Sequence, residues 1–184
     1  MDKLLIAIIA LFIIAGGVYF FVGYKAETPE NNQPPATQNI TNFEECAAAG
    51  NPVTESYPRS CSTNGKTYTE NIGNANELNG LITVDTPRPN AVVVSPLTIT
   101  GQARGTWYFE AQFPVKLVDA NGQTLAQTPA MAQSDWMTEN FVPFAATLEF
   151  TAPATPTGTL ILQNDNPSGN PETAKQLEIP VRFR

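Results

Sequence analysis

From Trp107 to Leu117 every second residue is apolar: Trp107, Phe109, Ala111, Phe113, Val115 and Leu117 alternate with Tyr108, Glu110, Gln112, Pro114 and Lys116. A helix cannot gather such a pattern on one face, whereas a strand sends successive side chains to opposite faces of a sheet. The alternation predicts one half-buried strand, with Trp107 and Phe109 directed to a core and Tyr108 and Glu110 to the opposite, solvent-facing side. Pro114 has no amide proton to give to a ladder and is expected at a bulge or an edge.

Shorter runs of the same kind extend to the end of the chain. Strands are expected at Leu81–Asp85, Leu97–Ala103, Gln123–Ala132, Thr159–Gln163, Phe144–Phe150 (Phe144, Ala146, Leu148 and Phe150 inward) and Gln176–Phe183 (Leu177, Ile179, Val181 and Phe183 inward), with a short extended piece at Val92–Val94. Asp119-Ala120-Asn121-Gly122 supplies hairpin chemistry after the opening strand. About seven short strands with frequent turns, in a chain with sixteen prolines and twelve glycines, indicate an all-β, immunoglobulin-like β-sandwich over residues 81–184. No cysteine falls in that range, so packing around Trp107 and Trp136 is expected to replace the inter-sheet disulfide of antibody domains.

Upstream the composition changes three times. Leu4 to Val22 carries no charge, and as a helix it would span roughly 28 Å, close to the hydrocarbon thickness of a bilayer. Residues 1–25 therefore read as a single transmembrane anchor. A cleaved signal peptide ending near Ala15-Gly16-Gly17 is the competing reading, disfavoured because "VYFFVG" continues the apolar run. Residues 26–41, rich in proline and asparagine, read as an extended linker. Residues 42–70 form a small module with the chain's two cysteines, Cys46 and Cys61. There Asn42 is expected to cap a short helix, and Lys66–Glu70 to form a strand after a turn. Residues 71–80 read as a second polar linker.

A Cys46–Cys61 disulfide would contribute about 3 kcal/mol to a unit too small to be held by its core. With no histidine and no second cysteine pair, zinc lacks ligands, and the spacing is not that of a redox pair. A structural disulfide implies an oxidising surrounding. This sets the expected topology: a single-pass protein of the cell membrane, N-terminus cytoplasmic and C-terminal domain extracytoplasmic.

Function classes narrow in the same way. The absence of histidine removes the commonest general base and metal ligand, and a net charge of -7 leaves no footprint for nucleic acid. No cofactor, metal or catalytic residue is expected. Candidate binding residues are Tyr108 with Glu110, and the long loop Asn164–Ala174, where Asn164, Asp165 and Asn166 cluster oxygen atoms that would also suit calcium. Loop carboxylate pairs, Asp135 with Glu139 and Asp165 with Glu172, define the alternative of a cell-surface hydrolase.

The segments "GTWYFEAQFPV" and "DWMTENFVPF", with "NPSG" and the closing "LEIPVRF", resemble the immunoglobulin-like domain of bacterial spore germination, also called the second GerMN-associated domain, over about residues 81–184. The resemblance implies a bacterial, extracytoplasmic β-sandwich that serves as a binding or interaction module, often in lipoproteins or membrane-anchored proteins, and it brings no catalytic residues. No GerMN domain stands beside it, so a germination role is not implied. The expected partner is an envelope protein or a glycan. In the cysteine module, "CSTNGKTYTE" resembles part of a Kazal-type protease-inhibitor loop, a family that uses three disulfides where this module can form one.

Overall fold

The computed structural model describes residues 39–184. The anchor expected at 4–22 and most of the linker lie outside the described residues. Among the described residues no helix is long and apolar enough to cross a membrane.

The cysteine module starts with helix α1 (Phe43–Ala48), capped by Asn42, whose side chain accepts the Glu45 amide at 2.8 Å and so satisfies one of the orphan donors of the first turn. Strands β1 (Val53–Thr54), β2 (Ser60–Thr63) and β3 (Lys66–Thr69) form an antiparallel sheet in that order. Cys46 on α1 and Cys61 on β2 form the expected disulfide, and with Phe43 they make the whole buried cluster of the module. Ile40 packs against that cluster, and its carbonyl accepts the Tyr68 hydroxyl at 2.7 Å.

The polar stretch 71–80, expected as a linker, is instead bonded to the sandwich. Ile72 is buried, and helix α2 (Ala75–Leu78) lends Ala75 and Leu78 to the main core. The stretch escapes a reading based on apolar periodicity because it is held by amides. The side chain of Asn74 carries the same donor and acceptor as a peptide group and uses both on the neighbouring strand.

The sandwich comprises β4 (Ile82–Thr86), β5 (Leu97–Arg104), β6 (Gln112–Asp119), β7 (Thr124–Ala132), β8 (Phe141–Leu148), β9 (Thr157–Gln163) and β10 (Gln176–Arg182). Every pairing between these strands is antiparallel, in the order β10-β9-β6-β7-β8-β5-β4. The ladder runs from β10 to β4, but β7 meets β8 only through Met131↔Ala145 and Ala132↔Phe144 while its remaining length follows β6. At this narrow join the sheet folds over into two layers, β4-β5-β8 and β7-β6-β9-β10.

Alternate residues of both layers meet in one core: Ile99, Phe144 and Leu148 from the first, and Phe113, Leu117, Leu162 and Ile179 from the second. Phe113 and Phe144 pack edge to face at 5.0 Å across the layers. Each such side chain contributes on the order of 1.5–3 kcal/mol relative to exposure. The inward sets expected for 97–103, 144–150 and 176–183 are all found there, Phe150 as a partly buried neighbour of Phe183 at 5.9 Å. Pro114 pairs with Pro129 beyond the point where β9 begins to pair with β6, so its missing donor costs no bond to that strand, and the β6 irregularity falls at Leu117/Val118 instead.

The outer edge of β10 is closed. Asn74 donates its side-chain amide to the Gln176 carbonyl at 2.9 Å and accepts the Glu178 amide at 2.8 Å. Gly73 (φ +64) makes this approach possible, since a β-carbon there would lie 1.8 Å from the Glu178 carbonyl oxygen. Farther along, Asn90 donates to the Pro180 carbonyl at 2.7 Å, Arg182 donates to the Ala91 carbonyl at 2.9 Å, and Val93 donates to the Arg182 carbonyl at 2.8 Å.

Candidate functional site

The stretch that suggested one long strand contains a chain reversal. β5 ends at Arg104, and a single 3-10 turn covers Gly105–Trp107. Phe109 and Gln112 then exchange amide-to-carbonyl bonds at 3.0 and 3.1 Å, with Glu110 (φ 51) and Ala111 (φ 63) between them in the left-handed region. This is the geometry of a two-residue I′ hairpin, which Asn-Gly fills with little strain. Glutamate and alanine there cost on the order of 1–2 kcal/mol each.

The reversal corrects the expected orientation. Tyr108, expected on the solvent face as a binding residue, is buried at 4% exposure, whereas Phe109, expected in the core, is 42% exposed. The Tyr108 hydroxyl donates to the Val142 carbonyl at 2.8 Å, and its ring packs 5.1 Å from Phe113. Burial pushes that hydroxyl up to about 12. Trp107 is buried as expected, edge-on to Phe113 at 6.5 Å, and its indole N–H has no hydrogen-bond partner.

Glu110 stays at the exposed tip of the turn. Beside it the strand register builds a lateral row on the outer face, since Phe109 pairs with Gln112, Gln112 with Met131, and Met131 with Ala145. Met131 is 45% exposed, and Pro114 and Pro129 pair two positions farther along the same face. Gly105 brings up another loop: a β-carbon on it would lie 1.9 Å from the Thr138 carbonyl oxygen and 2.3 Å from that of Trp136, so Met137, 76% exposed, belongs to a loop held against this turn. Sequence reasoning missed Met131 and Met137. For Met131 the signal was there in the alternation of β7, but its phase was unassigned; Met137 lies in the loop after that strand, where no alternation marks it.

The expected loop residues reach the same end. Asp165 donates its amide to the Trp107 carbonyl at 3.0 Å, and with Gln112, Pro114, Gln127 and Pro129 it lines a shallow depression of about 510 Å³. Asn164 and Asn166 act differently, as staples of their own loop. The Asn164 side chain accepts the Lys175 amide at 2.6 Å and donates to the Thr173 carbonyl at 3.1 Å. Asn166 accepts from the hydroxyls of Ser168 at 2.8 Å and Thr173 at 3.1 Å, and donates to the Asn170 carbonyl at 2.7 Å. Their side-chain oxygens are thus engaged within the loop rather than gathered for calcium, and among the described residues no group of three or more His, Cys, Asp or Glu could hold a metal.

The carboxylate pairs lie apart from any enclosed cavity. Asp135 and Glu139 are exposed, Asp135 accepting the Met137 amide at 3.1 Å; Glu172 is exposed and Asp165 half-buried. This end of the sandwich offers an exposed aromatic, Phe109, two exposed methionines, Met131 and Met137, and two carboxylates, Glu110 and Asp165. Such an arrangement can bind by contact and hydrogen bonding.

Residues 81–170 match a protein-family model described as the immunoglobulin-like domain of bacterial spore germination. The matched segment starts just before β4 and stops within the 164–175 loop, and β10 completes the same sheet beyond it. No curated protein and no solved structure matches the chain.

Proposed function

Starting from a sandwich that matches the immunoglobulin-like domain of bacterial spore germination over residues 81–170, we propose that this protein is a non-enzymatic binding module of the bacterial cell envelope. Residues 4–22 anchor it in the membrane with the N-terminus cytoplasmic, and the sandwich is displayed outside to hold an envelope protein or a glycan. The observation that carries the reading is the strained Phe109–Gln112 turn. The chain spends backbone energy on Glu110 and Ala111 where Asn-Gly would fit with little strain, and thereby holds Phe109 and Glu110 at an exposed tip, with Gln112 between Phe109 and Met131 in the same lateral row. The Cys46–Cys61 disulfide supports the extracytoplasmic placement.

The test is photo-crosslinking in cells from a probe placed at Thr106, comparing the natural protein with a Phe109→Ser, Met131→Ser variant. A discrete crosslinked species lost in the variant upholds the reading; an unchanged pattern overturns it. Alkylation of living cells checks the location, since free Cys46 and Cys61 thiols would place the module in a reducing compartment. Turnover of peptidoglycan or peptides that disappears with Asp135→Asn would replace the binding reading with the hydrolytic one.

A further inference from the structure

The outer face of the β7-β6-β9-β10 layer is nearly free of charge in a chain whose net charge is -7. On β6, alternation with the buried Phe113, Val115 and Leu117 turns Gln112, Pro114 and Lys116 outward. The register sets Met131, Pro129 and Gln127 of β7 beside them in turn. On the other side of β6, Ile161 pairs with Lys116 and with Glu178, and Gln163 pairs with Gln176 two positions along. Among these residues only Lys116 and Glu178 are charged, and Ile161 stands between them in one lateral row.

Four glutamines share this face, and they are used differently from the asparagines of the 164–175 loop. Asn164 and Asn166 fasten their own backbone. The side-chain amides of Gln112, Gln127 and Gln163 bond to no protein group among the described residues, and that of Gln176 reaches only Glu178. Gln112 and Gln127 border the depression of about 510 Å³ with Pro114, Pro129 and Asp165, all five of them at least partly exposed.

We infer that this face binds an uncharged glycan of N-acetylated sugars, seated on the Gln112–Gln127 depression and continuing across β9 toward Gln163 and Gln176. The inference rests on the binding role proposed for the Phe109 end, which the depression adjoins, and names its ligand. An acetamido group is an amide bearing a methyl. The free glutamine amides offer it both a donor and an acceptor, and Pro114, Pro129 and Met131 offer apolar contact for the methyl. Sugar hydroxyls can donate to the Asp165 carboxylate. Neighbouring strands stand about 4.8 Å apart, close to the advance per sugar of an extended β-linked chain, so a glycan that crosses the strands presents successive sugars to successive strands. An anionic polymer would be repelled by the net charge of -7. A protein partner would find no outward aromatic or arginine on β7, β6 or β9 to serve as an anchor.

The experiment follows the methyl resonances of isotope-labelled methionine in the oxidised full chain, held in a detergent without sugar groups, as penta-N-acetylchitopentaose is added. Met131 is expected to shift saturably while Met1 stays fixed. Cellopentaose, of the same length but without acetamido groups, is expected to bind at least about ten-fold more weakly. Gln112→Ala combined with Gln127→Ala is expected to weaken binding of the acetylated sugar about ten-fold or more. Gln102→Ala, the same exchange at an exposed position of β5 in the other layer, leaves it unchanged, and a retained melting temperature shows that each variant is folded. No saturable shift, equal affinity for cellopentaose, or a double glutamine variant that binds as the natural protein does would each overturn the glycan. The Thr106 crosslink separates that failure from failure of the binding role itself. A crosslinked species shortened by a muramidase upholds both, one that the enzyme leaves unchanged overturns the glycan and keeps the binding role, and the absence of any species overturns both.

Discussion

Exchanging Tyr108 and Phe109 for alanine, one at a time, reads the phase of the chain through the turn. Tyr108 is 4% exposed, packs 5.1 Å from Phe113 and donates its hydroxyl to the Val142 carbonyl at 2.8 Å. Tyr108→Ala empties a cavity in the core and leaves that carbonyl without its side-chain donor, for an expected loss of about 4 kcal/mol. Phe109 is 42% exposed at the tip, and Phe109→Ala is expected to cost about 1 kcal/mol. A difference of about 3 kcal/mol, divided by a urea slope of about 2 kcal/mol/M, separates the two unfolding midpoints by about 1.5 M. The assay is equilibrium urea unfolding followed by tryptophan fluorescence, with Tyr108→Phe isolating the hydroxyl at about 1 kcal/mol. Equal midpoints, or a larger loss from Phe109→Ala, would show that the unbroken alternation is correct and the reversal is not.

Replacing both Cys46 and Cys61 by serine is expected to cost the small module about 3 kcal/mol, seen as faster amide exchange in α1 and β2 with unchanged exchange in β6 and β9. The Glu70 carboxyl is held below its ordinary value, chiefly by the Arg59 hydrogen bonds, so its stabilising contribution is complete above the ordinary carboxylate range and is lost as pH falls through the lowered value. Glu70→Gln should cost about 2 kcal/mol at neutral pH and flatten the acid side of the stability profile, measured by melting temperature from pH 7 to 2. Tyr108 gives the opposite sign: its contribution is complete below pH 10 and is lost as pH rises toward about 12, so tyrosinate absorbance should retain one late-titrating group until unfolding, absent in Tyr108→Phe. Asn74→Ala removes two bonds from the β10 edge and should speed exchange of the Glu178 amide without moving the β5–β8 amides.

Much of the sandwich was legible because it rests on a period of two. The inward sets Leu97/Ile99, Phe144/Ala146/Leu148 and Leu177/Ile179/Val181 follow directly from alternation, and the disulfide from there being only two cysteines. At Trp107–Gln112 the same rule failed for a physical reason. A two-residue reversal puts Phe109 and Gln112 on one face, so the count restarts there, and Glu-Ala lacks the Asn-Gly signature that would have marked it. The asparagines of the 164–175 loop show another limit: a cluster of side-chain amides reads the same whether it awaits a ligand or, like Asn164 and Asn166, fastens its own backbone. The cavity bounded by Arg59, Glu70, Asp85, Arg88 and Arg182 was out of reach of any local pattern, since these residues meet only after the chain has folded.

The amide of Asn74 has a consequence for where copies of this molecule can join. A ribbon that grows by lateral stacking needs two free margins per subunit, one to receive and one to offer. That side chain and residues 90–93 take the β10 margin out of any such exchange. A neighbouring copy therefore finds no free row of amides and carbonyls along β10 on which to stack.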